Sequence, residues 1–195
     1  MSSQLLKGKK GIISGALNNM SIAWKVAERA AEEGAEIVLT NAPIAMRMGE
    51  INGLAEKINA PIFAADATNE ADLENLFDKS MEHFGGKVDF VLHSIGMSPN
   101  VRKGRHYTDL NYEWYKQSLD VSAMSLHKML ATAYKKDAIS DWGSVVALSY
   151  IAAQRTFPDY SDMADAKALL ESIARSFGYH YGAAKKVRIN TISQS

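Results

Sequence analysis

The sequence contains no cysteine. That excludes a disulfide framework and any thiolate metal site, and it fits a reducing compartment. An excess of charge of either sign is also missing, since 22 Lys and Arg balance 22 Asp and Glu across 195 residues. Without a general field, nothing points to nucleic acid or an anionic membrane as a partner. No apolar run approaches the roughly 20 residues that span a bilayer. The opening Met-Ser-Ser-Gln-Leu-Leu-Lys-Gly-Lys-Lys lacks the apolar centre of a signal peptide. The expected location is therefore the cytosol. No low-complexity linker and no internal repeat marks a second domain, and the length suits one domain with a substantial core.

Short apolar runs alternate with helical patterns. Gly11-Ile12-Ile13-Ser14-Gly15, Ile37-Val38-Leu39-Thr40, Ile62-Phe63-Ala64-Ala65, Val88 to His93, Gly143 to Leu148 and Val187 to Ile192 read as strands. Between them, Ala23, Val26, Ala27 and Ala30 recur at helical spacing up to Gly34. A weaker pattern runs through Ile44, Met48, Ile51, Leu54, Ala55 and Ile58, interrupted by Gly49 and Gly53. Leu73, Leu76, Phe77, Ser80, Met81 and Phe84 form the clearest stripe, with Asn69 as N-cap and Gly85 as stop. A polar loop over 99–111 leads to a long helix over about 112–136, and another is expected over 158–182. The near-continuous Val- and Ile-rich strands, alternating with helices, predict an α/β fold. Its form is a Rossmann-like, doubly wound parallel sheet in the order 3-2-1-4-5-6, with helices on both faces.

In such a sheet, ligands bind beyond the carboxyl ends of the strands. The fifth strand there runs into Ser149-Tyr150 and then Phe157-Pro158-Asp159-Tyr160, with Lys167 seven residues after Tyr160. If Tyr160 lies in the first helical turn, about 100° per residue puts it on one face with Lys167, about 10 Å away. A phenol and an ammonium so placed suit acid catalysis and cofactor binding. The Gly-x-Gly-x-x-Gly fingerprint is absent after the first strand, where Gly15 stands alone, followed by Ser21 at the head of the first helix. One glycine still permits the tight turn, and the helix N-terminus can still face a pyrophosphate. After the second strand, Thr40-Asn41-Ala42 offers neither an acid for a ribose hydroxyl nor a base for a 2′-phosphate, Arg47 being the nearest. That leaves NAD and NADP both open, with the missing base favouring NAD. Asp66 ends the third strand, either to accept from an adenine amino group or to cap the next segment, and Gly96 would let backbone approach a ribose. Lys128 reads as solvated. The five histidines, at 83, 93, 106, 127 and 180, show no metal-ligand spacing, and His93 reads as a satisfied strand-end residue.

Three segments together resemble the NADH-dependent enoyl-acyl-carrier-protein reductases, members of the short-chain dehydrogenase/reductase superfamily. They are Gly15-x5-Ser21-Ile22-Ala23, His93-Ser94-Ile95-Gly96 and Tyr150-x9-Tyr160-x6-Lys167. Classical short-chain dehydrogenases, acting on alcohols or ketones, place Tyr and Lys four apart, and that position here is Ala164. The likeness runs from about Leu6 to Ser193.

The resemblance implies a single dinucleotide-binding and catalytic domain over 1–195 and an oxidoreductase of type II fatty-acid synthesis. Such an enzyme reduces the trans-2 double bond of enoyl thioesters on acyl carrier protein with NADH. It implies that Tyr160 binds the thioester oxygen, that Lys167 holds the nicotinamide ribose and favours the tyrosinate form, and that Tyr150 stands by the acyl chain as a second catalytic residue, either proton donor or lid. Gly15, Ser21 and Ile22 would face the pyrophosphate, while Asp66 and Ala67 would face adenine and Ala42 the adenosine side. Ser94, Ile95 and Gly96 would lie under the cofactor. Ser98 would offer backbone to substrate, and Met97, Phe157, Pro158 and Met163 would wall the acyl pocket. A cytoplasmic homotetramer, packed through the helices near 112–136 and 158–182, is implied as well. The family chain normally continues past the sixth strand with a cofactor loop, a substrate helix and a further strand, whereas this sequence stops at Ser193-Gln194-Ser195. The expectation is thus a reductase lacking its C-terminal segment, against the alternative of a catalytically incompetent dinucleotide-binding protein or fragment.

Overall fold

The computed structural model describes residues 3–48 and 50–194. Gly49 and Ser195, named above, lie outside them, as does the side chain of Met48. Five strands form one parallel sheet in the order β2-β1-β3-β4-β5. They are β1 (Lys10–Ser14), β2 (Glu36–Thr40), β3 (Val88–His93), β4 (Ile139–Tyr150) and β5 (Arg188–Gln194). The register sets Ser14 beside Thr40, Ile13 beside Leu92 and His93 beside Ala147, so these strand ends share one rim.

The expected third strand is reduced to a single parallel bridge, Leu39 to Ile62. Leu39 donates to the Pro61 carbonyl at 3.0 Å and accepts from Phe63 N–H at 3.0 Å. Pro61 brings no N–H to the ladder. The segment nevertheless flanks β2 where a third strand belongs, so the 3-2-1-4-5-6 order holds with its outermost member irregular.

The sheet separates two apolar layers. On one face Ile12, Val91 and Val145 meet Leu73, Leu76 and Phe77 of α4 (Glu70–Phe84), Leu126 and Leu130 of α7 (Ser125–Lys135), and Leu170 of α8 (Asp162–Lys185). On the other face Ile13, Leu39 and Leu92 meet Ala23 and Ala27 of α1 (Ile22–Glu32) and Leu54 of α3 (Ile51–Ile58). Each fully buried Leu, Ile or Phe contributes about 1.5–3 kcal/mol, so this layering fixes the frame on which the strand-end loops are held. α2 (Pro43–Met48) follows β2.

Local signals held at α4. Asn69 accepts from the N–H groups of Ala71 and Asp72, and Gly85 closes the helix at φ 63°. Elsewhere the structure departs from expectation. The loop over 99–111 contains α5 (Pro99–Arg102) and a 3₁₀ turn at Tyr107–Asp109. The long helix is α6 (Tyr112–Leu119), a π turn (Asp120–Met124), then α7. Tyr160 ends a separate 3₁₀ turn (Pro158–Tyr160), Ser161 takes φ 47° and ψ −135°, and α8 starts only at Asp162. The premise that Tyr160 and Lys167 share a helix is therefore wrong. The left-handed Ser161 breaks the helical phase between them. Among the described residues no helix is long and apolar enough to cross a membrane.

Candidate active site

Gly15 turns the chain at the end of β1 with φ +88°, and a Cβ there would sit 1.8 Å from the Ser94 carbonyl oxygen. The β1 and β3 loops touch backbone to backbone, which only glycine permits. Ser21 occupies the N-cap position of α1, but its side chain caps nothing. Its Oγ instead accepts from the N–H groups of Leu17 and Asn18, each at 3.1 Å, and so folds the 15–21 loop rather than standing free as a donor. Ile22 follows, 41% exposed at the helix mouth.

Beside this turn a slot opens between the ends of β1, β2 and α4, lined among others by Thr40, Ala42, Asp66, Ala67 and Ile95. Asp66 caps the next segment, one of its two expected roles: its Oδ1 accepts from Thr68 N–H and Oγ1 at 2.9 and 2.7 Å, and the residue also borders the slot. Thr40 Oγ1 is buried there without a partner among the described residues. Lys128, expected in solvent, binds the Thr68 carbonyl at 2.9 Å and Asp120 at 2.8 Å, because the π turn brings α7 against this loop.

Past the slot, the 94–98 loop crosses beneath α8. A Cβ on Gly96 would lie 3.4 Å from Met163 Cε and 3.7 Å from Lys167 Nζ. Lys167 is 6% exposed and donates to the Leu148 carbonyl at 2.8 Å. Burial pulls its ammonium down to about 8. Two of its three N–H bonds remain for a ligand. The Tyr150 and Tyr160 rings tilt against each other with centroids 4.5 Å apart, and Phe157 packs 5.5 Å from Tyr150. Burial, and then Tyr150, hold the Tyr160 phenol above its ordinary range. That corrects the expectation that Lys167 favours tyrosinate: here the phenol keeps its proton and is a hydrogen-bond donor.

Two further expectations change. Ser98 is buried, donating to Asp162 Oδ1 at 2.6 Å and accepting from Val101 N–H at 3.0 Å, and its carbonyl takes Arg102 N–H at 3.2 Å. Its side chain is a structural anchor and its carbonyl is taken by α5, so the expectation narrows to its backbone N–H. His93 is satisfied at one nitrogen only. Ser125 Oγ gives its proton to the Val121 carbonyl at 2.7 Å, so it accepts from His93 Nε2–H at 2.8 Å, and Nδ1 has no partner among the described residues. Burial, with Lys167 nearby, drops this imidazole to about 3, so the ring is neutral.

Residues not singled out in the sequence complete the frame. Ser122 in the π turn, a feature frequent at functional sites, accepts from Met97 N–H at 2.9 Å and sits 3.0 Å from its carbonyl. Glu171 accepts from Ser149 at 2.7 Å and Gln154 at 3.2 Å, fixing both sides of Tyr150. Asp162 collects Ser98, Asn100 and Ser118. Their partners lie tens of residues away in sequence, so no local pattern betrays them.

A parallel sheet with a glycine turn, a slot bordered by Thr40 and Asp66, and Tyr150, Tyr160 and Lys167 along one rim has the form of a dinucleotide-dependent oxidoreductase of the short-chain dehydrogenase/reductase class. Comparison with known proteins narrows this. The family model described as enoyl-(acyl carrier protein) reductase matches residues 15–195, and the chain belongs to that family. It is similar to the enoyl-[acyl-carrier-protein] reductase [NADH] FabI of Rickettsia bellii, at 37% identity over 99% of this chain and 72% of the relative. It is also similar to enoyl-[acyl-carrier-protein] reductase [NADH] 1 of Rhizobium meliloti, at 34% identity over 98% and 69% of the two chains. Among solved structures, the FabI–NADH complex of Alistipes finegoldii superposes with a TM-score of 0.97 at 71% identity, covering 98% of this chain and 68% of that one.

Proposed function

We propose that this chain is an enoyl-acyl-carrier-protein reductase that uses NADH to reduce the trans-2 double bond of enoyl thioesters held on acyl carrier protein. Family membership and the NADH named for its relatives support the reading. The observation that carries it is the convergence of Tyr150, Tyr160 and Lys167 at the carboxyl end of β4.

The residues present fit NADH. Gly15 and the head of α1, with Ser21 and Ile22, would face the pyrophosphate. Ala42, Asp66 and Ala67 would take the adenosine end, Thr40 Oγ1 being an unfilled polar atom there. Ser94, Ile95 and Gly96 would form the floor, and the free N–H bonds of Lys167 would take the nicotinamide ribose hydroxyls. When bound, NADH supplies the hydride. Charge then develops on the thioester oxygen, and Tyr160, held protonated, donates a hydrogen bond to it where water is thinned by Tyr150, Phe157, Pro158 and Met163. Met97 continues that wall, and Ser98 holds it in place. A homotetramer and a cytoplasmic location belong to the same reading.

The test is oxidation of NADH against NADPH with a trans-2-enoyl thioester such as crotonyl thioester, using the full-length gene product. Turnover with NADH is expected, and Tyr160→Phe should lower kcat about a hundredfold while the protein stays folded. Unchanged turnover in that variant would sink the role given to Tyr160.

A further inference from the structure

We propose that Asp162 is a positioning residue that acts through Tyr160, by clamping the start of α8 to the loop after β3 and to α6. The inference rests on the enoyl-reductase reading and adds to it a residue that touches neither substrate nor cofactor.

Asp162 is fully buried at the first position of α8, two residues after Tyr160. Its carboxylate is met by neutral donors from two other elements. Ser98 gives a hydrogen bond to Oδ1 at 2.6 Å, and Asn100 Nδ2 gives one to Oδ2 at 2.9 Å. Ser118 Oγ lies 2.8 Å from Oδ2 and 2.8 Å from the Trp114 carbonyl. It has one proton, and the carboxylate is the stronger acceptor. A carboxylate in the first turn also complements the helix dipole.

What Asp162 holds is a bend that would otherwise relax. Ser161 sits at φ 47°, a region an L-residue rarely adopts, and its buried Oγ has no partner among the described residues. Upstream of the bend, Tyr160 is held by one backbone bond, to the Phe157 carbonyl at 3.0 Å, and by the tilt of its ring against Tyr150. Downstream lies the triple anchor of Asp162. The direction in which the Tyr160 phenol leaves the chain is thus set by Ser161, and the conformation of Ser161 is fixed by Asp162. The same anchor ties Ser98 to α8, where the next residue, Met163, brings its Cε to 3.4 Å from the position a Cβ on Gly96 would take.

The experiment is a double-mutant cycle in the full-length protein, read as kcat, KM for crotonyl thioester and NADH affinity. Asp162→Asn keeps the volume but turns an N–H pair toward donors, which breaks the clamp. We expect about a tenfold loss in kcat with KM and NADH affinity nearly unchanged. In a Tyr160→Phe background the same substitution should cost less than about twofold, since the group it positions is gone. If Asp162→Asn does not fold, Ser118→Ala removes one donor from α6 and should show a smaller loss with the same coupling. Losses that multiply independently of Tyr160, or that fall on NADH affinity alone, would overturn the proposal. A wild-type protein with no enoyl reductase activity would instead overturn the reading beneath it, and the inference with it.

Discussion

At the scale of single residues, the ammonium of Lys167 is the most exacting case, because its burial works against stability while serving binding. In the folded protein it holds its proton only to about 8, against an ordinary 10.5. Between those values the unfolded chain binds more protons than the folded one, so stability rises with pH across that window. Below it, keeping the charge buried costs about 3 kcal/mol. Lys167→Met should therefore make the ligand-free protein more stable to urea at pH 7, and should flatten the rise between pH 8 and 10.5. It should also weaken NADH binding in calorimetry, whereas the wild type should lose affinity as pH passes about 8. Equal urea midpoints at pH 7 and unaltered affinity would contradict both halves. The sequence singled out Lys167, Tyr150 and Tyr160 by a local interval, and the fold brings them together at the end of β4. It did not reveal the protonation of Tyr160, because that depends on burial and on Tyr150 rather than on the lysine.

Among elements, legibility follows whether the governing contacts are local. Asn69 and Gly85 bound α4 as their residue types dictate. The start of α8 slips past Tyr160 because Asp162 answers to Ser98 and Ser118, 64 and 44 residues away. The π turn at Asp120–Met124 interrupts a helix whose apolar pattern reads as unbroken, and Ser122 there is engaged by Met97. The β1–β3 junction gives a contrast that can be measured. Gly15→Ala meets both a positive φ and the Ser94 carbonyl. It should cost 2 kcal/mol or more, roughly, and reduce NADH affinity. Gly53→Ala, in α3 with nothing within 4 Å of the added Cβ, should stabilise by about 0.5–1 kcal/mol. Urea unfolding of the two variants checks this, and a harmless Gly15→Ala would deny the close approach.

For the whole molecule, the order of strands was readable because each buried strand is a short apolar run and each crossover a helix, so topology rules leave few arrangements. The irregular third segment was not, since Ile62–Ala65 has the same apolar look as a full strand. What the fold leaves on its outside bears on assembly. Tyr112 on α6, Met124 in the π turn, Tyr134 on α7 and Tyr179 on α8 are 71, 37, 46 and 75% exposed. Large side chains of this kind, spread over the outer helices, cost less when covered by a second copy. If these helices pair subunits, light scattering of the full-length protein should give a mass about four times that of one chain. Its thermal midpoint should rise with protein concentration, as mass action requires. Tyr179→Glu should lower both the mass and the midpoint at a fixed concentration, by placing a charge where an aromatic ring would be desolvated. A monomer whose midpoint is indifferent to dilution would remove the tetramer without touching the contacts of Tyr160 and Lys167 described above, which lie within one chain.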